Sequence, residues 1–342
     1  MSKIVSYLRL GRLHTAALTL GITTLSAVLA TGTFLDWRVP LFTFFGILFH
    51  FVGFGHNGII DYKEDRKDPH KQHMPLVSGE LRFGIAAIVV GTLFLVGLIW
   101  GMFMAGQEGA IPFWESKSIP ASFALIATVS FGLAYNYASK RTGFSCVLIG
   151  LSYGFLAVFP YYALGGSSLF VVGALFGYFF MQTLFSVFPS GYYKDMRSDE
   201  VNPLRRLGAK ILGGRYCPTR AVIALVTFLK LSGVGFGASI GYYLYLSASS
   251  PVYAISFLMS AVFFWFSYAA TGPMRTESPF TQKNATRVLA MEQMFAYFGF
   301  VFTLVPLLGA YALGALTLLP VLWFFGMNRI LWGKGWTFQP KV

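Results

Sequence analysis

Asn57, Asp61 and Asp65 recur at steps of four residues within the segment NGIIDYKED. On a helix each step of four advances by about 40°, so the three side chains stack on one face. Asp68 lies one turn further on. A second pair, Asp195 and Asp199, shows the same step of four in DMRSD. Carboxylates placed so closely repel one another unless a cation lies between them. Mg2+ suits such a site, because it takes oxygen ligands and is usually held by a few carboxylates together with substrate phosphates. Mn2+ is the alternative ion. The acids stand among bases: Lys63, Arg66, Lys67 and Lys71 around the first group, Lys194 and Arg197 around the second. A third segment, YNYASKRTGF, adds Lys140 and Arg141. Metal and bases together suit a diphosphate, whose developing charge both stabilise. The plain alternative is that charged residues merely flank membrane spans; two acid pairs, one headed by Asn57, weigh against it.

The elements that must carry these residues are membrane helices. The 342-residue chain is 56% hydrophobic and only 11% charged, where a soluble domain carries roughly 25% charged residues. A helix needs about 20 apolar residues to cross a bilayer. Such runs fall at 13–35, 39–60, 83–105, 118–138, 143–164, 167–190, 220–246, 251–271, 288–308 and 311–328. The last two nearly fuse, so the fold expected is an all-α membrane protein of nine or ten transmembrane helices. With the N-terminus inside and ten spans, all 26 Lys and Arg lie on the inner side except Arg38, Lys117 and Lys230, which satisfies the positive-inside rule. Both acid groups then follow even-numbered spans, in cytoplasmic loops near 57–82 and 191–219. The net charge of +13 is explained by these loops, and no nucleic-acid partner is expected. Two cysteines, Cys146 and Cys217, suggest neither a disulfide framework nor a zinc site. The basic start followed by a long apolar run reads as a first span, not a cleaved leader. The chain reads as one integral-membrane domain, 1–342.

The chain resembles the UbiA superfamily of intramembrane prenyltransferases over its whole length. The family pattern N-D-x-x-D-x-x-x-D is matched by NGIIDYKED, and D-x-x-x-D by DMRSD. MPLVSGEL, from Met74 to Leu81, is similar to the family's R-P-L-x-S-G segment, and YNYASK to its Y-x-x-x-K segment. There are departures. Gly58 stands at the family's second-position Asp, and Met74 precedes Pro-Leu where the family has Arg, with Lys71 and His73 the nearest substitutes. Gly191 occupies a frequent Asn position, and the tyrosine register before Lys140 is shifted to Tyr137. The acids themselves are intact. The resemblance implies a helical bundle around a central cavity. An isoprenyl diphosphate would sit with its head on Mg2+ held by Asp61, Asp65, Asp195 and Asp199. Asn57, Lys71, Lys140, Arg141 and Lys194 would bind the diphosphate. Ionisation at C1 gives an allylic cation, captured by a lipophilic acceptor. The 36 Phe and 18 Tyr offer π faces for that cation.

Two charges fall inside the expected spans. Lys230 lies about 15 Å into the seventh, and Glu292 in the first turns of the ninth. Charges at such depth usually face the bundle interior. Either they pair with each other, which is the stronger reading, or Lys230, with Tyr137, meets the acceptor. Other activities compete with prenyl transfer. A terpene cyclase would need no second substrate. A transporter would place its acids near the midplane rather than at one face. A CDP-alcohol phosphotransferase needs D-G-x-x-A-R between its acids, and the chain has none. The acceptor expected is an aromatic or quinone precursor, with a glycerol ether lipid as alternative. Membrane lipid is the remaining partner.

Overall fold

The computed structural model describes residues 2–106, 118–139, 141–143, 145–196, 202–248, 250–308 and 310–333. It is helical almost throughout. Nine helices among the described residues are long and apolar enough to cross a membrane: Leu13–Thr31, Val39–Ile60, Phe83–Ala105, Ile119–Ala138, Ser145–Ala163, Leu169–Phe188, Arg220–Ala248, Pro251–Ala270 and Ala312–Trp332. The span expected at 288–308 is instead a 22-residue helix, Gln282–Thr303. It starts six residues earlier, where the Thr281 side chain accepts from Asn284 N, and gives way to a 3-10 turn at Val305–Leu307, whose Pro306 cannot continue the backbone ladder. Its polar first turns, QKNATR, and Glu292 make it the least apolar of the long helices.

The chain divides into two compact units. One holds residues 1–125, 159–166 and 310–342, and with them the first acid group; the other holds 126–158 and 167–309, with the second. In the first unit, Ala17–Thr31 and Val39–Ile60 pack so closely at Gly46 that any Cβ there would strike Thr23 and the backbone of Thr19. Lipid tails are as apolar as leucine, so close packing and interhelical hydrogen bonds must hold such helices together. Hydrogen bonds join this pair at Thr24–Thr43 (2.7 Å) and between Thr19 and His50 Nδ1 (2.9 Å). The short N-terminal helix Lys3–Leu10, capped by the Ser2 side chain, is clasped by a buried arginine. Arg9 donates to both Glu80 carboxylate oxygens (3.0 and 3.1 Å) and to the His73 carbonyl (2.6 Å), and its guanidinium lies 4.4 Å from the Trp332 ring. Ser6 adds a 2.6 Å hydrogen bond to Glu80. A residue expected only to mark topology thus ties the 73–81 segment to the chain's first and last helices.

In the second unit, Pro251–Ala270 and Gln282–Thr303 run side by side. Phe263 stacks on Phe302 (4.8 Å), and Ser260 shares a hydrogen bond with Thr303 (2.7 Å). Gly237 and Gly299 leave room for the Phe264 ring. A two-stranded antiparallel hairpin, Lys210–Leu212 with Arg215–Cys217, turns at Gly213 and Gly214, both at positive φ. That is the two-residue turn Gly-Gly favours. Tyr216 then exchanges both backbone hydrogen bonds with Phe280 (2.8 and 3.0 Å).

The inside and outside assignment is tested by single cysteines in place of Ser167, Thr142 and Thr281. Ser167→Cys is expected to react with an impermeant maleimide from outside intact cells, and the other two only after lysis. A C-terminal tag reachable from outside would reduce the spans to nine.

Candidate active site

The first acid group forms where a membrane helix runs out. Asn57 lies in the last turn of Val39–Ile60, and Asp61 follows it in helical conformation before the turn Tyr62–Asp65. The backbone ladder continues across the break, with Asp61 N to Asn57 O at 2.9 Å and Asp65 N to Asp61 O at 2.8 Å. The stacking predicted from the spacing is therefore present. Both aspartates are buried, at 9% and 5% exposure, so their charges need partners. Asn57 Nδ2 donates to Asp61 Oδ2 (3.1 Å), and Lys71 Nζ donates to Asp65 Oδ1 (2.7 Å) from the turn Pro69–Lys71. Gly58 faces Leu10, and an Asp there would have to displace that leucine's side chain. The MPLVSGEL segment follows, with Pro75 and Leu76 buried and Gly79 at φ +80°, and with Glu80 held by Arg9.

The second group is reached differently. Leu169–Phe185 does not continue as an α-helix; residues Ser186–Gly191 wind as a π-helix and lead into the turn Tyr192–Asp195. Pro189 has no N–H to give an α-helical ladder, which favours the wider spacing. Asp195 and Lys194 close that turn; Asp199 and Arg197 lie outside the described residues. Tyr192 anchors the turn. Its hydroxyl accepts from Cys146 N (3.3 Å) and shares a hydrogen bond with Ser145 (3.4 Å), and its carbonyl accepts from Asn202 Nδ2 (2.7 Å). Tyr193 packs between Tyr216 and Phe280, with ring centroids 5.1 and 4.9 Å away. Burial pushes both phenols above their usual pKa range, so both hydroxyls stay protonated at neutral pH. Sequence reasoning missed Asn202, although Asn-Pro before a short helix is a recognisable cap signal.

Of the remaining expected residues, Arg141 is exposed in the turn after Ile119–Ala138, Tyr137 is half-exposed at that helix's end, and Lys140 lies outside the described residues. Lys230 is 1% exposed and pairs with Glu292, itself fully buried. Gln182 bridges the pair: its Oε1 accepts from Lys230 (3.1 Å) and its Nε2 donates to Glu292 Oε1 (2.8 Å). Ser267 donates to the same carboxylate oxygen (3.2 Å), and the Lys230 ammonium lies 5.4 Å from the Phe185 ring.

The donor set decides what the first group can hold. Two buried carboxylates four residues apart, one oriented by an amide and one beside a lysine, fit a hard, oxygen-seeking dication with a diphosphate. Among the described residues no three His, Cys, Asp or Glu side chains meet as one metal site.

A multi-pass helical membrane protein with an acid group at the end of a span is the class that this fold and site define. Residues 19–287 match the model of the UbiA prenyltransferase family, to which the chain belongs; it is a prenyltransferase. A sequence comparison with curated proteins gives no match. Solved structures share the fold. A digeranylgeranylglyceryl phosphate synthase aligns with a TM-score of 0.62 at 18% identity, over 90% of this chain and 99% of its own. A UbiA homologue from Aeropyrum pernix K1 gives 0.59 at 15% identity, over 85% and 98%. A UbiA homologue from Archaeoglobus fulgidus, bound to DMAPP and Mg2+, gives 0.58 at 16% identity, over 87% and 99%.

Proposed function

We propose that this chain transfers an isoprenyl group from an isoprenyl diphosphate to a lipophilic acceptor, and that it does so with Mg2+ held by Asp61, Asp65, Asp195 and Asp199. The observation that carries the reading is the buried pair Asp61 and Asp65, stacked on one helix face with Asn57 and Lys71 on their oxygens. The Archaeoglobus homologues bound to DMAPP or GPP with Mg2+ support it. When bound, the metal supplies positive charge to the leaving diphosphate. The chain's own groups do the rest. Asn57 orients the Asp61 carboxylate. Lys71, with Lys140, Arg141 and Lys194, supplies charge to the diphosphate oxygens. The C1–O bond breaks, diphosphate departs, and the acceptor's nucleophilic atom bonds to C1 and gives up its proton to the released diphosphate.

Two acceptor classes remain open to this chemistry. An aromatic ring of a quinone precursor would form a C–C bond, and a glyceryl phosphate ether would form a C–O bond. The likeness to a digeranylgeranylglyceryl phosphate synthase gives the second a specific support. Purified protein supplied with radiolabelled geranylgeranyl diphosphate, Mg2+ and each acceptor class distinguishes them by the mass and acid stability of the product. Label moving into product with no acceptor added would instead indicate a cyclase. No consumption of the diphosphate under any condition would overturn the proposal.

A further inference from the structure

Asp195 hangs from a segment that is weak by construction. A π-helix is rarely stable beyond a single turn, and where it occurs it often marks a functional site. Ser186–Gly191 has that form and delivers Asp195 four residues later. Something must fix where the α-helix stops and the wider winding starts, because a one-residue slip would re-aim Asp195 by about 100°.

We propose that Gln182 is a positioning residue for Asp195, with the buried Lys230–Glu292 pair as its anchor; the inference rests on the metal-binding role of Asp195 given above. Gln182 lies in the last turn of Leu169–Phe185. Its side chain is held at both ends, the oxygen by Lys230 and the amide by Glu292. Its carbonyl is the junction itself. It accepts from Ser186 N and also from Ser186 Oγ (2.9 Å), at the first residue of the π-helix. A second helix holds the same hydroxyl: Gln293 Nε2, next to Glu292 in sequence, donates to Ser186 Oγ (3.0 Å). Three helices thus meet around Gln182 and Ser186, through the Gln182 side-chain amide and the Ser186 hydroxyl. Lys230 is on Arg220–Ala248, Glu292 and Gln293 on Gln282–Thr303, and Gln182 on the helix that must stop.

A pair that only filled space would not need this bridge. Glu292 Oε1 takes three contacts, from Lys230, Gln182 and Ser267, while Oε2 is buried with no hydrogen-bond partner among the described residues. The carboxylate is oriented by Lys230, Gln182 and Ser267 together, all on one oxygen. A buried group left half-satisfied is costly, so its orientation is fixed by what it holds.

The test is hydrogen exchange of the full chain in detergent, comparing wild type with Gln182→Met and Ser186→Ala. In both variants the amides of 187–196 are expected to exchange about tenfold faster, while the segments around Lys230 and Glu292 keep wild-type protection. Unchanged exchange in 187–196, or equal loosening of all three helices, would overturn the proposal. Ser186→Ala removes a single half-buried hydroxyl, so it carries the comparison if Gln182→Met does not fold. Mn2+ binding followed by electron paramagnetic resonance is the second readout. A misaimed Asp195 weakens the site, and a Kd raised about tenfold, the lower end of what losing support for a metal ligand costs, is expected in both variants. If wild type binds no Mn2+, the metal reading fails, and the exchange result still decides the positioning role.

Discussion

Asp61→Ala is expected to lower turnover by about a hundredfold or more, the scale on which a group stabilising developing charge acts. The same is expected of Asp195→Ala, from the other unit. The folded state should survive. Asp61 sits at a helix end and accepts a side-chain hydrogen bond from Asn57, and such a bond contributes about 1 kcal/mol. Both variants should therefore be extracted in detergent and elute as wild type does. Excess EDTA should silence wild type, and Mg2+ should restore it. Normal activity in either variant, or full activity in EDTA, would remove the metal from the mechanism. Asn57→Ala should sit between these and wild type, since it leaves the carboxylate in place but unoriented.

The second large effect concerns stability. Lys230→Met leaves the Glu292 carboxylate buried without its counter-charge, and breaking a buried pair on one side costs about 3–5 kcal/mol. Lys230→Met combined with Glu292→Gln removes both charges and keeps the volume. Thermal unfolding of the three proteins in one detergent should show the single variant strongly destabilised and the double variant largely recovered. Were Lys230 to contact the acceptor instead, Lys230→Met would raise the acceptor KM while the affinity for isoprenyl diphosphate held. Unchanged melting and unchanged kinetics would reject both roles.

Much of this was legible because the membrane restricts what a helix can be. The apolar runs at 39–60 and 83–105 have the limits of the observed helices, since Arg38 and Asp61 bound the first and Arg82 and Gly106 the second. The Lys230–Glu292 pair was legible for the same reason: charges within spans are few, so their partners are easily found. Where a helix is not uniformly apolar, the reading slipped. Gln282–Thr303 starts among Lys283, Asn284 and Arg287, which hydropathy reads as loop. Arg9 looked like one more inner-side base; only the fold brings Glu80, His73 and Trp332 to it. The hairpin's strands are three residues long, too short for alternation to show, although Gly213–Gly214 was a usable turn signal. The π-helix had the weakest trace. Its start is marked by the hydrogen bond Ser186 donates to the Gln182 carbonyl and the one it accepts from Gln293, and Pro189 alone does not specify it.

The paired charges also bear on how the chain enters the bilayer. Arg220–Ala248 is synthesised some 60 residues before Gln282–Thr303, at about 5–20 residues per second. For several seconds Lys230 is inside the membrane, or waiting at its edge, before Glu292 exists. A lone lysine at mid-helix costs about 2.5–3.5 kcal/mol on insertion scales, which the apolar residues around it can outweigh. Gln282–Thr303 has no such margin of its own. It is not apolar enough by composition to rank with the nine candidate spans, and its acid would oppose entry. The lysine already in place gives that acid somewhere to go. Insertion of this late helix is then a templated event, guided by a charge left waiting upstream. A larger share of chains carrying Lys230→Met should leave their last helices accessible to protease during synthesis, while the share that inserts folds and can be purified.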